Sequence, residues 1–245
     1  MKLLCLDIGN TSITICDYKN QELGEITRVA SNENFINQLT NYNIGNFDFI
    51  ILCSVVPNLT KLLISYCKNN SINIYEINYK NSHLNLHVDN PSEVGNDRIC
   101  NAIAAKKLNF NPSIIIDFGT ATTYDVINLD GDFIGGAIAP GIDVSADYLI
   151  NKTALLKDTI YKFPPKVIGK NTVSNIQSGV MYGGLASVEG MIKLIDAEID
   201  DVSNNIIITG GFGKLISEKI NIKHTYIESL TIEGMLQVFF KNQRN

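Results

Sequence analysis

Leu3-Leu4-Cys5-Leu6-Asp7-Ile8-Gly9-Asn10-Thr11 is an apolar run that ends in an acid and a glycine turn, and Ile114-Ile115-Ile116-Asp117-Phe118-Gly119-Thr120 repeats it. A continuous apolar run closing on Asp-x-Gly is a buried central strand that delivers a carboxylate to a tight turn. Ser12–Asp17 then predicts a second strand after the first run, and Thr122–Asn128 after the second. Glu25–Ala30 and Asp132–Ala139 predict third strands in the same places. The two aspartates stand 110 positions apart. A repeat of this length points to duplication of a whole lobe. No Gly/Ser/Pro-rich linker interrupts the chain, so the boundary is a seam near residue 112, with an N-terminal lobe over 1–112 and a C-terminal lobe over 113–245.

The elements around the repeat alternate. Helices are predicted over Phe35–Tyr42, Pro57–Asn69, from Glu93 past Ala105, after Pro140-Gly141, over Val173–Ile199, Gly213–Lys219 and Thr231–Lys241. Strands are predicted over Phe47–Val55, Asn73–Ile77, Asn205–Thr209 and near Thr225. Pro57 suits a first helical turn, where its missing N–H costs nothing. The fold class is therefore α/β, two similar lobes of mixed sheet with flanking helices.

Composition narrows the function. With 245 residues and 45% hydrophobic content the chain can bury a large core. A net charge of −5 and no basic stripe argue against nucleic acid as a partner. No apolar run is long enough to span a bilayer, and Asp7 and Gly9 cut short the apolar N-terminus that a signal peptide would need. The expectation is a cytoplasmic protein with no membrane partner. Cys5, Cys16, Cys53, Cys67 and Cys100 sit in apolar patterns with no CxxC pair, as buried thiols in a reducing compartment do.

The Asp-Gly-Thr turns carry chemistry. Glycine lets the backbone approach an anion. Backbone N–H groups and the Thr11 hydroxyl can donate to phosphate oxygens, and Asp7 can hold a metal ion or its water shell beside them. A second such turn at Asp117–Thr120 is expected to face the first across the seam and complete a triphosphate cleft. Ile207-Ile208-Thr209-Gly210-Gly211-Phe212-Gly213 adds a strand running into a Gly-rich turn, suited to packing against adenosine. This trio is similar to the actin–hexokinase–Hsp70 superfamily, which implies duplicated ribonuclease-H-like lobes without large insertions.

An acceptor loop precedes the seam: Asn90-Pro91-Ser92-Glu93-Val94-Gly95-Asn96-Asp97-Arg98. Asp97, at a loop-to-helix junction, can orient an alcohol and take its proton. Arg98 can fork onto a substrate carboxylate. The alternative is a plain ion pair at a helix start.

Asp7-Ile8-Gly9-Asn10-Thr11, Gly95-Asn96-Asp97-Arg98, Asp117-Phe118-Gly119-Thr120-Ala121-Thr122 and Gly169-Lys170-Asn171-Thr172, in that order, resemble the motif set of type III pantothenate kinases. The resemblance runs from Leu3 to about Gly234. It implies ATP-dependent phosphorylation of pantothenate, the first step of coenzyme A biosynthesis. It further implies that Asp7, Ile8, Gly9, Asn10, Thr11, Ser12, Ile13 and Thr14 line the ATP phosphates, with Asp7 near Mg²⁺ and Thr120 contacting ATP. Val88, Gly95, Asn96, Asp97, Arg98 and Thr172 would form the pantothenate site, with Asp97 as general base. Asp117 would bind K⁺ or NH₄⁺. Thr172 would come from the partner subunit of a homodimer with a shared active site. Val180, Leu185, Val188, Met191 and Ile192 on the long helix are then candidate dimer-face residues, or equally ordinary core.

The chain departs from the family pattern in three places: Asn96 stands where a small or apolar residue is common, Val88 where some members have Tyr, and Ile227-Glu228-Ser229-Leu230-Thr231 lacks the family's proline. His83, His87 and His224 carry surface or structural expectations only. The rival readings are a kinase of another small alcohol, a nucleotide-binding regulator of transcription without turnover, and a filament-forming ATPase.

Overall fold

The computed structural model describes residues 1–40, 42–152, 161–199 and 204–244. In chain order the strands are β1 (Leu3–Ile8), β2 (Ser12–Lys19), β3 (Glu22–Leu23), β4 (Thr27–Ala30), β5 (Phe49–Ser54), β6 (Ile74–Glu76), β7 (Ser113–Phe118), β8 (Ala121–Ile127), β9 (Phe133–Pro140), β10 (Asn205–Gly210) and β11 (Thr225–Tyr226). The helices are α1 (Phe35–Thr40), α2 (Pro57–Asn69), α3 (Asn96–Lys107), α4 (Ile142–Lys152), α5 (Thr172–Glu198), α6 (Gly213–Ser217) and α7 (Leu230–Gln243). Two compact units result. One comprises Met1–Asn109, Gly131–Ile134 and Ser229–Asn245; the other comprises Phe110–Asp130 and Gly135–Glu228.

In the first unit the sheet order is β3-β2-β1-β5-β6, with β4 also on β2. β1 runs antiparallel to β2 and parallel to β5, placing Asp7 beside Cys53 and Ile8 beside Ser54. Alternation along β1 feeds two cores, because successive side chains point to opposite faces. Leu4, Leu6 and Ile8 pack with Leu39, Leu59 and Leu63 on the face that carries α1 and α2. Leu3 and Cys5 pack with Cys53, Cys100, Met235 and Phe239 on the other face. Burial of each such Leu, Ile or Phe stabilises by about 1.5–3 kcal/mol, so Leu6→Ala would cost roughly 2–5 kcal/mol.

The second unit has sheet order β11-β10-β7-β8-β9, with β7 antiparallel to β8 and parallel to β10. The central strand, its antiparallel hairpin partner and its parallel neighbour recur in the same arrangement as in the first unit. Its core holds Ile114, Ile116, Tyr124, Met181, Val188, Ile192 and Ile208.

Three details differ from the sequence reading. Glu22–Leu23 forms a short strand where a turn was expected, because Lys19 and Tyr18 of β2 leave an edge for it to pair. α3 starts at Asn96, after a single 3₁₀ turn over Pro91–Glu93. The C-terminal helix α7 belongs to the first unit rather than to a C-terminal lobe. Its apolar stripe of Ile232, Met235, Leu236 and Phe239 closes the β1/β5 face. Gly234 permits that closure, since a Cβ there would collide with the Cys100 carbonyl of α3. Thr231 donates from its hydroxyl to the fully buried Asn101 at 2.8 Å, fixing the register of the two helices. All five cysteines are buried and unpaired by disulfide. Among the described residues no helix is long and apolar enough to cross a membrane.

Candidate active site

Asp7 ends β1, half-buried, and the chain turns through Gly9–Ser12 into β2. The turn is closed by the Gly9 N–H donating to the Ser12 carbonyl at 3.0 Å. Ser31 pins it from β4: its hydroxyl donates to the Gly9 carbonyl at 2.6 Å and its N–H to the Thr11 carbonyl at 3.0 Å. Asn10 and Thr11 are exposed at the tip. The sequence reading did not single out Ser31; nothing local marks it, because only the β2–β4 pairing brings it there.

The acceptor loop is tied to the same strand ends. Asn90 accepts from the Ser92 N–H and hydroxyl and donates to Glu93 at 2.8 Å, setting the turn before α3. Asn96 donates to the Ser54 carbonyl at 3.1 Å, and the Val55 N–H donates to the Ile8 carbonyl at 3.1 Å. These bonds hold the start of α3 against the carboxyl ends of β5 and β1. Asn96, a departure from the family pattern, thus has a positioning contact of its own. Gly95 leaves room for the Asp97 carboxylate in this position, which a Cβ there would push aside.

Asp97 is half-buried, and its Oδ1 accepts from the Arg98 N–H at 2.8 Å. Burial pushes its pKa above the ordinary carboxylate value, while that N–H and the Arg98 charge pull the other way. Two carboxylates share this neighbourhood. The Cys53 thiol is pushed well up, first by its hydrogen bond to Cys100, then by burial and by the charges of Cys100, Asp7 and Asp97. Arg98 lies over the Phe133 ring, 5.4 Å from its centroid. Val88 is half-buried on the segment leading into the loop.

In the second unit Asp117 ends β7, half-buried, level with buried Thr209 on β10 and with Thr123 on β8. Here the turn is one residue shorter than its counterpart: Gly119–Ala121 lies between the Phe118–Thr122 pair, against Gly9–Ser12 between Ile8 and Ile13. Thr120 is accordingly half-buried where Thr11 is exposed. The Gly210 backbone crosses the end of β7 with φ +87°, and a Cβ there would strike the Asp117 carboxylate and the Phe118 backbone. Only glycine meets both demands. Gly141 donates its N–H to the Thr120 carbonyl at 3.1 Å, and a Cβ on it would crowd the carbonyls of Gly119 and Thr120. The expected Gly169–Thr172 motif forms the start of α5. Asn171 caps the helix in a reciprocal box with Ser174, and Thr172 is exposed as the first helical residue.

On α5, Val188 and Ile192 are buried in the unit's own core, while Val180, Leu185 and Met191 are half-buried and pack against it. Small residues occupy the middle of that helix's surface: Gly179, Gly183, Ala186 and Ser187 are exposed, and nothing stands where a Cβ on Gly179 or Gly183 would reach. An apolar groove of about 550 Å³ runs between α4, α5 and β8, lined by Phe118, Tyr124, Ile142, Gly183 and Val188. The histidines have structural partners: His83 meets Asn242, His87 meets Asp132, and His224 meets the Ile222 carbonyl.

For metal, no cluster of three or more His, Cys, Asp or Glu converges among the described residues. A carboxylate beside a glycine turn, as Asp7 is, is nevertheless a donor that Mg²⁺ accepts where substrate phosphates and water complete its shell. Asp117 with Thr209 offers oxygen donors suited to a hard cation.

Comparison with known proteins agrees with this geometry. The family model for type III pantothenate kinase matches residues 3–194. A type III pantothenate kinase of Moorella thermoacetica is 36% identical over 98% of this chain and 99% of its own. That of Dehalococcoides mccartyi is 36% identical over 99% and 97%. Among solved structures, a Campylobacter jejuni protein assigned to the Baf family of transcriptional activators superposes with TM-score 0.64 at 20% identity, covering 99% of this chain and 100% of that one. Component A of the (R)-2-hydroxyglutaryl-CoA dehydratase of Acidaminococcus fermentans does so with TM-score 0.55 at 14% identity over 100% of both chains. These two share the fold, and the family model together with the full-length relatives establishes the rest: the chain belongs to the type III pantothenate kinase family.

Proposed function

We propose that the chain transfers the γ-phosphoryl group of ATP to the primary hydroxyl of pantothenate, the first step of coenzyme A biosynthesis, with Asp97 as the base. The observation that carries the assignment of Asp97 is its placement. Asn96 ties the start of α3, where Asp97 sits, to the end of β5 beside the strand that presents Asp7, the absence of a Cβ on Gly95 leaves room for the carboxylate, and burial raises its proton affinity.

In this reading Arg98 holds the pantothenate carboxylate as a charged fork, beside the Gly95–Asn96 backbone and Val88. Asp97 accepts the proton of the hydroxyl as its oxygen bonds to the γ-phosphorus and the bond to the β–γ bridging oxygen breaks, releasing ADP. The turn from Asp7 to Thr14 donates to the ATP phosphates from its backbone and from Thr11, and Thr120 contacts ATP. Asp7 would hold Mg²⁺ and Asp117 would hold K⁺ or NH₄⁺; when bound, these cations would offset charge on the phosphates. Positioning and electrostatics supply most of the rate in phosphoryl transfer.

Thr172 acts on pantothenate from the partner subunit of a homodimer. The exposed start of α5 and the small-residue face at Gly179 and Gly183, where a second backbone can approach, support that arrangement. The test is ADP release from ATP and Mg²⁺, with and without pantothenate, in K⁺ or in Na⁺ alone. Turnover that needs both pantothenate and K⁺ is expected. ATP binding without turnover in either salt would favour the regulatory reading.

A further inference from the structure

The sequence Leu129-Asp130-Gly131-Asp132-Phe133 reverses the chain between β8 and β9. Its residues Gly131–Ile134 pack with the first unit rather than with the strands on either side. They are held there by strand-like pairing: the Phe133 N–H donates to the Asn85 carbonyl at 3.0 Å, and the His87 N–H donates to the Phe133 carbonyl at 2.8 Å. Asp132, buried at 8% residue exposure, adds an anchor. Its carboxylate accepts from Asn85 and His87 at 3.1 Å each and lies 3.5 Å from the Lys106 ammonium. The His87 hydrogen bond, with help from Asn85 and Lys106 and against burial, holds this carboxyl below the usual range, so the anchor stays ionised at neutral pH.

What the anchor fixes is the next side chain. Phe133 is 1% exposed, and its ring lies under the Arg98 guanidinium at 5.4 Å. Arg98 follows Asp97 in the first turn of α3. A guanidinium is attracted to the negative face of an aromatic ring, and stacking limits its rotamers, while its planar N–H fork matches a carboxylate. An aliphatic residue of similar bulk could fill the space without that attraction. We infer that Phe133, anchored through Asp132, is a positioning residue that holds Arg98 aimed at the acceptor's carboxylate and so sets affinity and selectivity for a carboxylate-bearing alcohol. The inference rests on the reading of Arg98 as the carboxylate-binding group.

The experiment compares pantothenate with its neutral primary amide as acceptors, in the full-length enzyme, for Phe133→Leu, Phe133→Tyr, Asp132→Asn and Arg98→Gln. Loss of the cation–π contact corresponds to about 2- to 30-fold in affinity. Phe133→Leu is expected to raise KM for pantothenate by that factor, with kcat within about twofold and KM for the amide little changed. Phe133→Tyr, which keeps the ring, is expected to restore the wild-type KM. A Phe133→Leu enzyme that loses both acceptors equally, or loses kcat at unchanged KM, overturns the inference; so does a Tyr variant that behaves like Leu. If Phe133→Leu does not fold, Asp132→Asn, which keeps the ring and weakens its anchor, is measured in its place. A selective rise in KM for pantothenate supports the inference and an equal rise for both acceptors overturns it. Arg98→Gln separates the two layers. If it too treats the acceptors alike, the assignment of Arg98 has failed; if it discriminates and the Phe133 variant does not, only the positioning role has failed.

Discussion

Replacing Asp97 by Asn tests the proposed chemistry with almost no change of shape. The amide oxygen can still accept from the Arg98 N–H, now 2.8 Å from the carboxylate, so the start of α3 should stay in place. What is lost is a group that takes a proton. General-base assistance is typically worth about 10²–10⁴-fold, or roughly 3–5 kcal/mol of barrier. A coupled ADP-release assay at saturating ATP and pantothenate should therefore show kcat lower by at least about 10²-fold. Burial raises the pKa of Asp97, so the acid limb of the wild-type rate profile should begin at a higher pH than an ordinary carboxylate gives. Stability should move the other way. A raised folded pKa means the fold favours the protonated form; that contribution is full below the unfolded pKa, near 4, and is lost as pH rises through the folded value. At pH 7 the wild type carries a half-buried charge that Asp97→Asn lacks. The variant should unfold at an equal or higher temperature there, and the gap should close on acidification. A kcat near wild type would refute the base assignment. A variant clearly less stable at pH 7 would refute the account of the raised pKa.

Asp117→Ala should abolish activation by K⁺ over Na⁺; retained K⁺ dependence would place the cation elsewhere. Gly234→Ala pushes a methyl into the Cys100 carbonyl and should cost about 1–3 kcal/mol, read from the urea midpoint. If active sites are shared, mixing inactive Asp97→Asn and Thr172→Ala homodimers and letting subunits exchange should restore up to about a quarter of wild-type activity, because half the dimers are mixed and one site in each is intact. No recovery after proven exchange would count against a shared site.

The repeat made most of the fold legible. Leu3–Asp7 and Ile114–Asp117 are continuous apolar runs because each is a central strand flanked on both sides, and each acid marks where the strand leaves the core. The placement of α7 was not legible. Its Ile232, Met235, Leu236 and Phe239 show an apolar face but not which sheet it covers, and the closeness at Gly234 and Cys100 is tertiary. The acids and glycines of the candidate site were visible as motifs. Their supports were not: Ser31, Asp132 and Phe133 are ordinary in local sequence and reach the site only through strand pairing and chain reversal. The long α5 shows a limit of periodicity, since Val188 and Ile192 signal a buried face without saying whose core it meets, and the exposed Gly179 and Gly183 carry no hydrophobic signal.

Phosphoryl transfer from ATP to pantothenate through Asp97 can be followed atom by atom. The most direct measurement follows ³²P from γ-labelled ATP into product, for wild type and Asp97→Asn, in K⁺ with Mg²⁺ and pantothenate. Label should reach pantothenate's hydroxyl at a rate matching ADP release in the wild type, and at least about 10²-fold more slowly in the variant. Label released only as inorganic phosphate, or equal transfer by both proteins, would contradict it.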